Sequence, residues 1–182
     1  MIESILNNLL KGKTILYPTD TVWGLGCDAT NEGTVKKIYQ IKNREESKSL
    51  IILVSSINML KKYVSVPKKA LEILQKAERP TTIIYQNPKG LASNVISKED
   101  NSVAIRIVQD DFCRKLIKSF KKPIVSTSAN ISGQPTPMSF SEIDKAILHS
   151  VDYVVNLHQE KVATKSSTIL KIVGKDIVVL RE

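Results

Sequence analysis

The sequence predicts an α/β domain built on a mixed sheet, and three observations carry that expectation. Short β-branched or wholly apolar runs alternate with segments of helical spacing along most of the 182 residues, the pattern of layered α/β domains. The last two apolar runs, Thr168 to Ile172 and Ile177 to Leu180, flank Gly174-Lys175 as the arms of a hairpin would, which puts antiparallel neighbours into the sheet. Length and a hydrophobic content of 42% suit one domain with its own core, so residues 1–182 are expected to form a single unit.

Each element follows from local pattern. Ile2 to Leu10 carries apolar residues at 2, 5, 6, 9 and 10, a helical spacing. Thr14 to Tyr17 is a strand stopped by Pro18. Asn31 is placed to cap a helix that carries Val35, Ile38 and Tyr39 and ends near Lys42. Leu50 to Val54 is wholly apolar, as buried strands are. Ser56 opens a helix through Val64, and Pro67 starts another that runs to about Ala77. Thr81 to Tyr85 and Val103 to Val108 read as strands. Asp110 begins a helix with Phe112, Leu116, Ile117 and Phe120 along one side. Ile124 to Thr127 is a strand that enters a polar loop, Ser141 to Leu148 a helix, and Tyr153 to Leu157 a strand.

Composition excludes several classes of function. No apolar run approaches the roughly 18 to 20 residues of a membrane span. The order of charge and apolarity over Met1 to Lys13 is wrong for a signal peptide, so a cytoplasmic protein with no membrane partner is expected. Cys27 and Cys113 lie far apart and form no CxxC pair, and the two histidines are too few for a Cys/His zinc site. There is no GxSxG elbow, no Walker A loop and no GxGxxG. The formal net charge is +9. Only five of the 27 basic residues are arginine, and the lysines are scattered as doublets such as Lys36-Lys37 and Lys121-Lys122. They suit solvated helix faces or a surface that meets a polyanion, ATP or RNA. The rigid fork of arginine is the sharper signal for phosphate and carboxylate.

Four polar stretches sit at strand or helix ends. Tyr17 to Gly26 packs hydroxyls and glycines around Pro18, either a plain turn or a loop whose backbone can approach a ligand. Lys42-Asn43-Arg44, with Ser47, Lys48 and Ser49, lies between a helix end and a buried strand. Its cations can satisfy the helix C-terminus or hold a triphosphate. Arg106 falls inside the apolar run from Ser102, where a guanidinium is costly unless paired. It faces solvent on an edge or binds an anion such as a carboxylate. Pro123 to Pro135 places hydroxyls and Asn130 just after a buried strand, a capped turn or the crevice of an open α/β sheet.

Together these stretches resemble the YrdC-like family of threonylcarbamoyl-adenylate synthases, from about Thr14 to Arg181. The opening signature of that family is matched by Pro18-Thr19-Asp20-Thr21-Val22-Trp23-Gly24-Leu25-Gly26. Its second signature is matched by Lys42-Asn43-Arg44 and Ser128-Ala129-Asn130. The resemblance implies a twisted mixed parallel/antiparallel sheet flanked by helices, similar to the DHBP synthase fold, with a large basic cavity. It implies ATP held by Lys42, Arg44, Ser102, Ser128, Asn130, Thr136 and Arg181, with Lys42, Arg44, Ser128 and Asn130 as the catalytic set. It implies L-threonine held by Thr19, Ser49, Arg106, Ser126 and Ser167.

Two positions depart from the pattern. Trp23 stands where tyrosine or phenylalanine is usual and is expected to tighten the pocket. The PGPxT stretch of the family is reduced to Arg79-Pro80-Thr81-Thr82, which places Arg79 as an added charge at the cavity rim. The short branch of the family, without an extra C-terminal domain, is the better match.

The implied activity makes threonylcarbamoyl-AMP and pyrophosphate from L-threonine, bicarbonate and ATP, for the N6-threonylcarbamoyladenosine modification of tRNA. No metal site built by the protein is expected. Mg2+ is expected to be carried mainly by the ATP phosphates. Downstream partners would be threonylcarbamoyl-transferase proteins. The alternative is a module that binds double-stranded RNA or tRNA in the same cavity. A paralogue with another carbamoyl-type substrate is a third reading.

Overall fold

The computed structural model describes residues 1–163 and 165–182. In chain order the elements are α1 (Ile2–Leu10), β1 (Ile15–Tyr17), β2 (Gly24–Gly26), α2 (Glu32–Lys42), β3 (Ile51–Val54) and α3 (Ile57–Leu60). They continue with α4 (Lys68–Lys76), β4 (Thr81–Gln86), β5 (Ser102–Ile107), α5 (Asp111–Phe120), β6 (Ile124–Ser128), α6 (Lys145–Ser150), β7 (Tyr153–Val154), β8 (Thr168–Val173) and β9 (Asp176–Arg181). Single 3₁₀ turns lie at Ser93–Val95 and Phe140–Glu142.

One nine-stranded sheet holds the chain together, in the order β7-β1-β2-β6-β3-β5-β4-β8-β9. The pairs β1·β7, β3·β5 and β4·β8 are parallel and the other neighbours antiparallel, so the sheet is mixed as the closing hairpin predicts. Helices flank it, with α3 and α5 packed on β3. The sheet residues Ile52, Val54, Ile83, Ile105 and Val125 join Leu116 and Ile117 of α5 in the buried core.

The caps act where the sequence places them. Asn31 accepts from the Thr34 amide at 3.2 Å and Asp110 from the Cys113 amide at 2.7 Å. A cap of this kind is worth about 1 kcal/mol. α2 closes on Asn43 in the left-handed conformation, φ 49°, which asparagine tolerates well.

Four segments differ from the expectation. The Ser56 helix is a single turn, Ile57–Leu60, and Val66, which precedes Pro67, stands outside it. The residues that follow mix i→i−3 bonds, Lys62 to Met59 and Tyr63 to Leu60, with an i→i−4 bond from Val64 to Leu60. The Ser141 to Leu148 helix begins later, at Lys145, because Asp144 is the cap that accepts from Ala146 at 2.7 Å. The strand expected to reach Leu157 ends at Val154, where a tight Leu157 to Val155 bond turns the chain. β2 lies inside the stretch expected to be a loop. Its glycines hide the strand pattern, and Gly26 is required by close approach. A Cβ there would lie 2.6 Å from both Tyr17 Cε1 and the Val125 carbonyl oxygen.

Candidate functional site

The sheet register builds the floor of a cavity of about 300 Å³. One row across the sheet pairs Ser126 with Ile51, Ile51 with Ala104 and Ala104 with Ile84. The next row pairs Leu53 with Arg106, Arg106 with Thr82 and Thr82 with Ile169. Side chains two apart on a strand share a face, so Ala104 and Arg106 stand side by side over this floor. Gly24 on β2 leaves room beside Ser126, since a Cβ there would come within 3.0 Å of the Ser126 hydroxyl.

Arg106 is only 3% exposed. Its Nη2 donates to Asp20 Oδ1 at 2.9 Å and to Thr21 Oγ1 at 3.3 Å. The second Asp20 oxygen accepts from the Gln109 amide at 3.0 Å. The cost of burying a guanidinium is thus offset by a carboxylate supplied by the Pro18 to Trp23 loop. That loop is curled by Thr19, whose hydroxyl donates to the Val22 carbonyl at 2.7 Å. Arg106 Nε is buried with no partner among the described residues. Nη1 makes no hydrogen bond among the described residues, and through it the guanidinium can meet an anionic acceptor in the cavity that Arg106 lines.

Arg44 and Arg181 line the same cavity. Arg44 is steadied by carbonyl oxygens of its own loop, Lys48 at 3.3 Å from Nε and Ser49 at 3.1 Å from Nη2. Arg181 donates from Nε to the Ser167 carbonyl at 2.9 Å and from Nη2 to its hydroxyl at 3.2 Å. The Ser167 hydroxyl in turn lies 2.9 Å from Thr82 Oγ1. Burial, and then the Arg106 charge, pull the pKa of Arg181 below the ordinary arginine value. Neither Arg44 nor Arg181 has an ion pair among the described residues. The cavity lining holds three guanidiniums and no carboxylate among those residues. An anion placed between them relieves their mutual repulsion.

A model of the Sua5, YciO and YrdC domain, described as "Telomere recombination", matches residues 7–182. The chain belongs to this family. A curated relative from Methanocaldococcus jannaschii, named a putative threonylcarbamoyl-AMP synthase, is 37% identical over 183 residues, spanning 100% of this chain and 85% of its own length. A threonylcarbamoyl-AMP synthase from Xanthomonas euvesicatoria is 32% identical over 159 residues, covering 85% of this chain and 84% of that protein. Among solved structures, P. abyssi Sua5 complexed with L-threonine superposes with a TM-score of 0.87 at 26% identity and covers 99% of this chain. The present chain spans 53% of that Sua5 chain, about half its length.

In this YrdC-type domain the cavity brings together Arg44, Ser49, Arg106, Ser126, Ser128, Thr136, Ser167 and Arg181 of the expected set. Four expected residues stand elsewhere. Thr19 is buried in the turn of its own loop and borders a small neighbouring hollow. Ser102 donates to Asp100 at 2.6 Å at the far end of β5. Lys42 and Asn130 bond to each other and do not line the cavity.

The two departures from the family signature also lie outside the lining. Trp23 does not tighten the cavity. Its ring packs on Phe140 with centroids 4.9 Å apart and borders the small hollow. Arg79 is exposed and does not line the cavity, and the Thr81 hydroxyl donates to its carbonyl at 2.9 Å.

Three residues of the site, Asp20, Thr21 and Thr82, carry no assigned role in the sequence reading. Asp20 had a signal: an arginine in an apolar strand needs a carboxylate, and one stood in the opening signature.

Proposed function

We propose that this chain is an L-threonylcarbamoyladenylate synthase, acting on L-threonine, bicarbonate and ATP. The observation that carries the reading is the cavity with three guanidiniums, in a chain whose curated relatives bear the name threonylcarbamoyl-AMP synthase. In this reading Arg44 and Arg181, with the hydroxyls of Ser128 and Thr136, hold ATP, and their lining of one cavity supports it. In this reading Arg106 takes the threonine carboxylate, and Ser49, Ser126 and Ser167 orient the rest of the amino acid. The complex of P. abyssi Sua5 with L-threonine supports this half of the assignment.

The chemistry needs no side-chain nucleophile. The threonine amine and bicarbonate give a carbamate and water. A carbamate oxygen then attacks the α-phosphorus, and pyrophosphate leaves. What the chain supplies is proximity of two anions that would otherwise repel, and fixed positive charge where the phosphate oxygens gain negative charge. No cluster of three or more His, Cys, Asp or Glu able to hold a metal occurs among the described residues. Magnesium enters this reading only as the counterion that ATP brings, and no step is assigned to it. The product is consumed by a transferase that modifies tRNA. No helix among the described residues is long and apolar enough to cross a membrane.

The test is pyrophosphate release with each substrate omitted in turn. Release that needs ATP, bicarbonate and threonine together supports the reading. RNA binding that weakens steeply with salt, without any turnover, would favour the RNA module.

A further inference from the structure

Lys42 stands in the signature expected to hold ATP, yet its side chain has the geometry of a strut. It is the last residue of α2 and only 2% exposed. Its ammonium donates to the carbonyl oxygens of Ser128 and Asn130, the latter at 2.7 Å, and lies 3.4 Å from the Asn130 side-chain oxygen. An ammonium has three protons and no acceptor capacity, so these three oxygens use all of it. The carbonyl of Lys42 accepts from the Ser132 amide at 2.7 Å. One residue therefore clamps both ends of the turn from Ser128 to Ser132.

The turn itself is tightly knit. The Asn130 amide bonds the Ser128 carbonyl at 2.9 Å, and its side chain donates to Gln134 at 2.8 Å. The Ala129 amide bonds Trp23 at 3.1 Å, which ties the turn to the opening loop. Ser128 and Thr136, which line the cavity, flank this turn, whereas Lys42 does not line it. For Lys42 to reach a phosphate it would have to abandon a buried carbonyl oxygen. Leaving such an acceptor unsatisfied is costly. Arg44, two residues on, faces the cavity at no such cost.

We propose that Lys42 is a positioning residue that holds the Ser128 to Ser132 turn in shape for the nucleotide, and that the phosphate charge is met by Arg44 and Arg181. The proposal rests on the ATP reading above and concerns how the nucleotide is held.

AMP, ADP and ATP discriminate the two roles, because they differ only in phosphate number. The affinity of each is measured by calorimetry for the wild-type chain, Lys42→Met and Arg44→Ala. A residue that touches phosphates loses more affinity as phosphates are added, and Arg44→Ala is expected to do so. Lys42→Met is expected to weaken all three nucleotides by one common factor, on the order of tenfold. A Lys42→Met loss that grows from AMP to ATP in step with Arg44→Ala overturns the proposal and leaves the ATP reading standing. A wild-type chain that binds none of the three sinks the ATP reading and this proposal with it. Should Lys42→Met fail to fold, the wild-type chain labelled with 15N-lysine gives the same decision. Equal displacement of the Lys42 ammonium resonance by AMP and ATP supports a strut, and a larger displacement by ATP overturns it.

Discussion

Replacing Arg106 by lysine isolates the amino-acid half of the site without emptying it of charge. In the wild-type chain Nη2 is engaged by Asp20 at 2.9 Å and Thr21 at 3.3 Å, while Nη1 makes no hydrogen bond among the described residues and is left for a ligand. The planar fork serves protein and substrate at once. A lysine ammonium is a single point donor on a flexible stem. Set against the buried carboxylate of Asp20, whose side chain is 5% exposed, it stays with Asp20. The fold is kept, since removing the cation altogether would leave Asp20 unpaired at a cost of about 3–5 kcal/mol. The substrate carboxylate loses one hydrogen bond to a charged donor, worth about 1.5–3 kcal/mol. At 1.4 kcal/mol per tenfold, the KM for threonine rises roughly 10- to 150-fold. The assay is pyrophosphate release against threonine at saturating ATP, and again against ATP at saturating threonine. The KM for ATP should stay within about threefold. A threonine KM unchanged in Arg106→Lys, or a matching rise in the ATP KM, would show that Arg106 does not hold the threonine carboxylate.

Other outcomes follow from the same geometry. Arg44→Ala removes a guanidinium that lines the cavity and has no ion pair among the described residues. The ATP KM should rise by about 10- to 150-fold in the pyrophosphate assay, with the threonine KM little moved. Gly26→Ala puts a methyl 2.6 Å from Tyr17 Cε1 and the Val125 carbonyl. Thermal unfolding should show a loss of at least about 1–3 kcal/mol, and an unchanged melting point would contradict the close approach. Burial, and then the Arg44 charge, bring the pKa of Lys42 down to about 8, against about 10.4 in the unfolded chain. Between these values the unfolded chain binds more protons. The stability this group contributes is therefore fully present above about 10.4 and is lost as pH falls through 8. The neutral amine no longer saturates its three oxygens, so turnover should fall as pH rises past about 8 while this stability contribution grows. A turnover profile that stays level to about pH 10 counts against it.

Much of the fold was legible because local chemistry and tertiary structure agree. Asn31 and Asp110 cap the helices their positions announce, and the wholly apolar run at Leu50 to Val54 is a central strand between β6 and β5. β2 was hidden because two of its three residues are glycine, chosen for close approach and not for strand propensity. α6 begins later than its sequence suggests because Ser141 and Asp144 are both good caps, and only the break at Ile143 decides between them. For the site, residue type was readable and direction was not. Arg106 could be recognised as a buried cation that needs a partner, and the partner proved to be Asp20. Lys42 and Arg44 read alike as phosphate cations. The helix end turns one inward onto carbonyl oxygens and leaves the other at the cavity, a difference set by the left-handed Asn43 between them.

The most direct test of the account follows carbon from bicarbonate into the nucleotide. The chain is incubated with ATP, L-threonine and 13C-bicarbonate, and the products are resolved by mass spectrometry. The expected product is a threonylcarbamoyl-adenylate that carries the label, formed in step with pyrophosphate. Pyrophosphate release with no labelled adenylate, or an adenylate formed equally well without threonine, would contradict it.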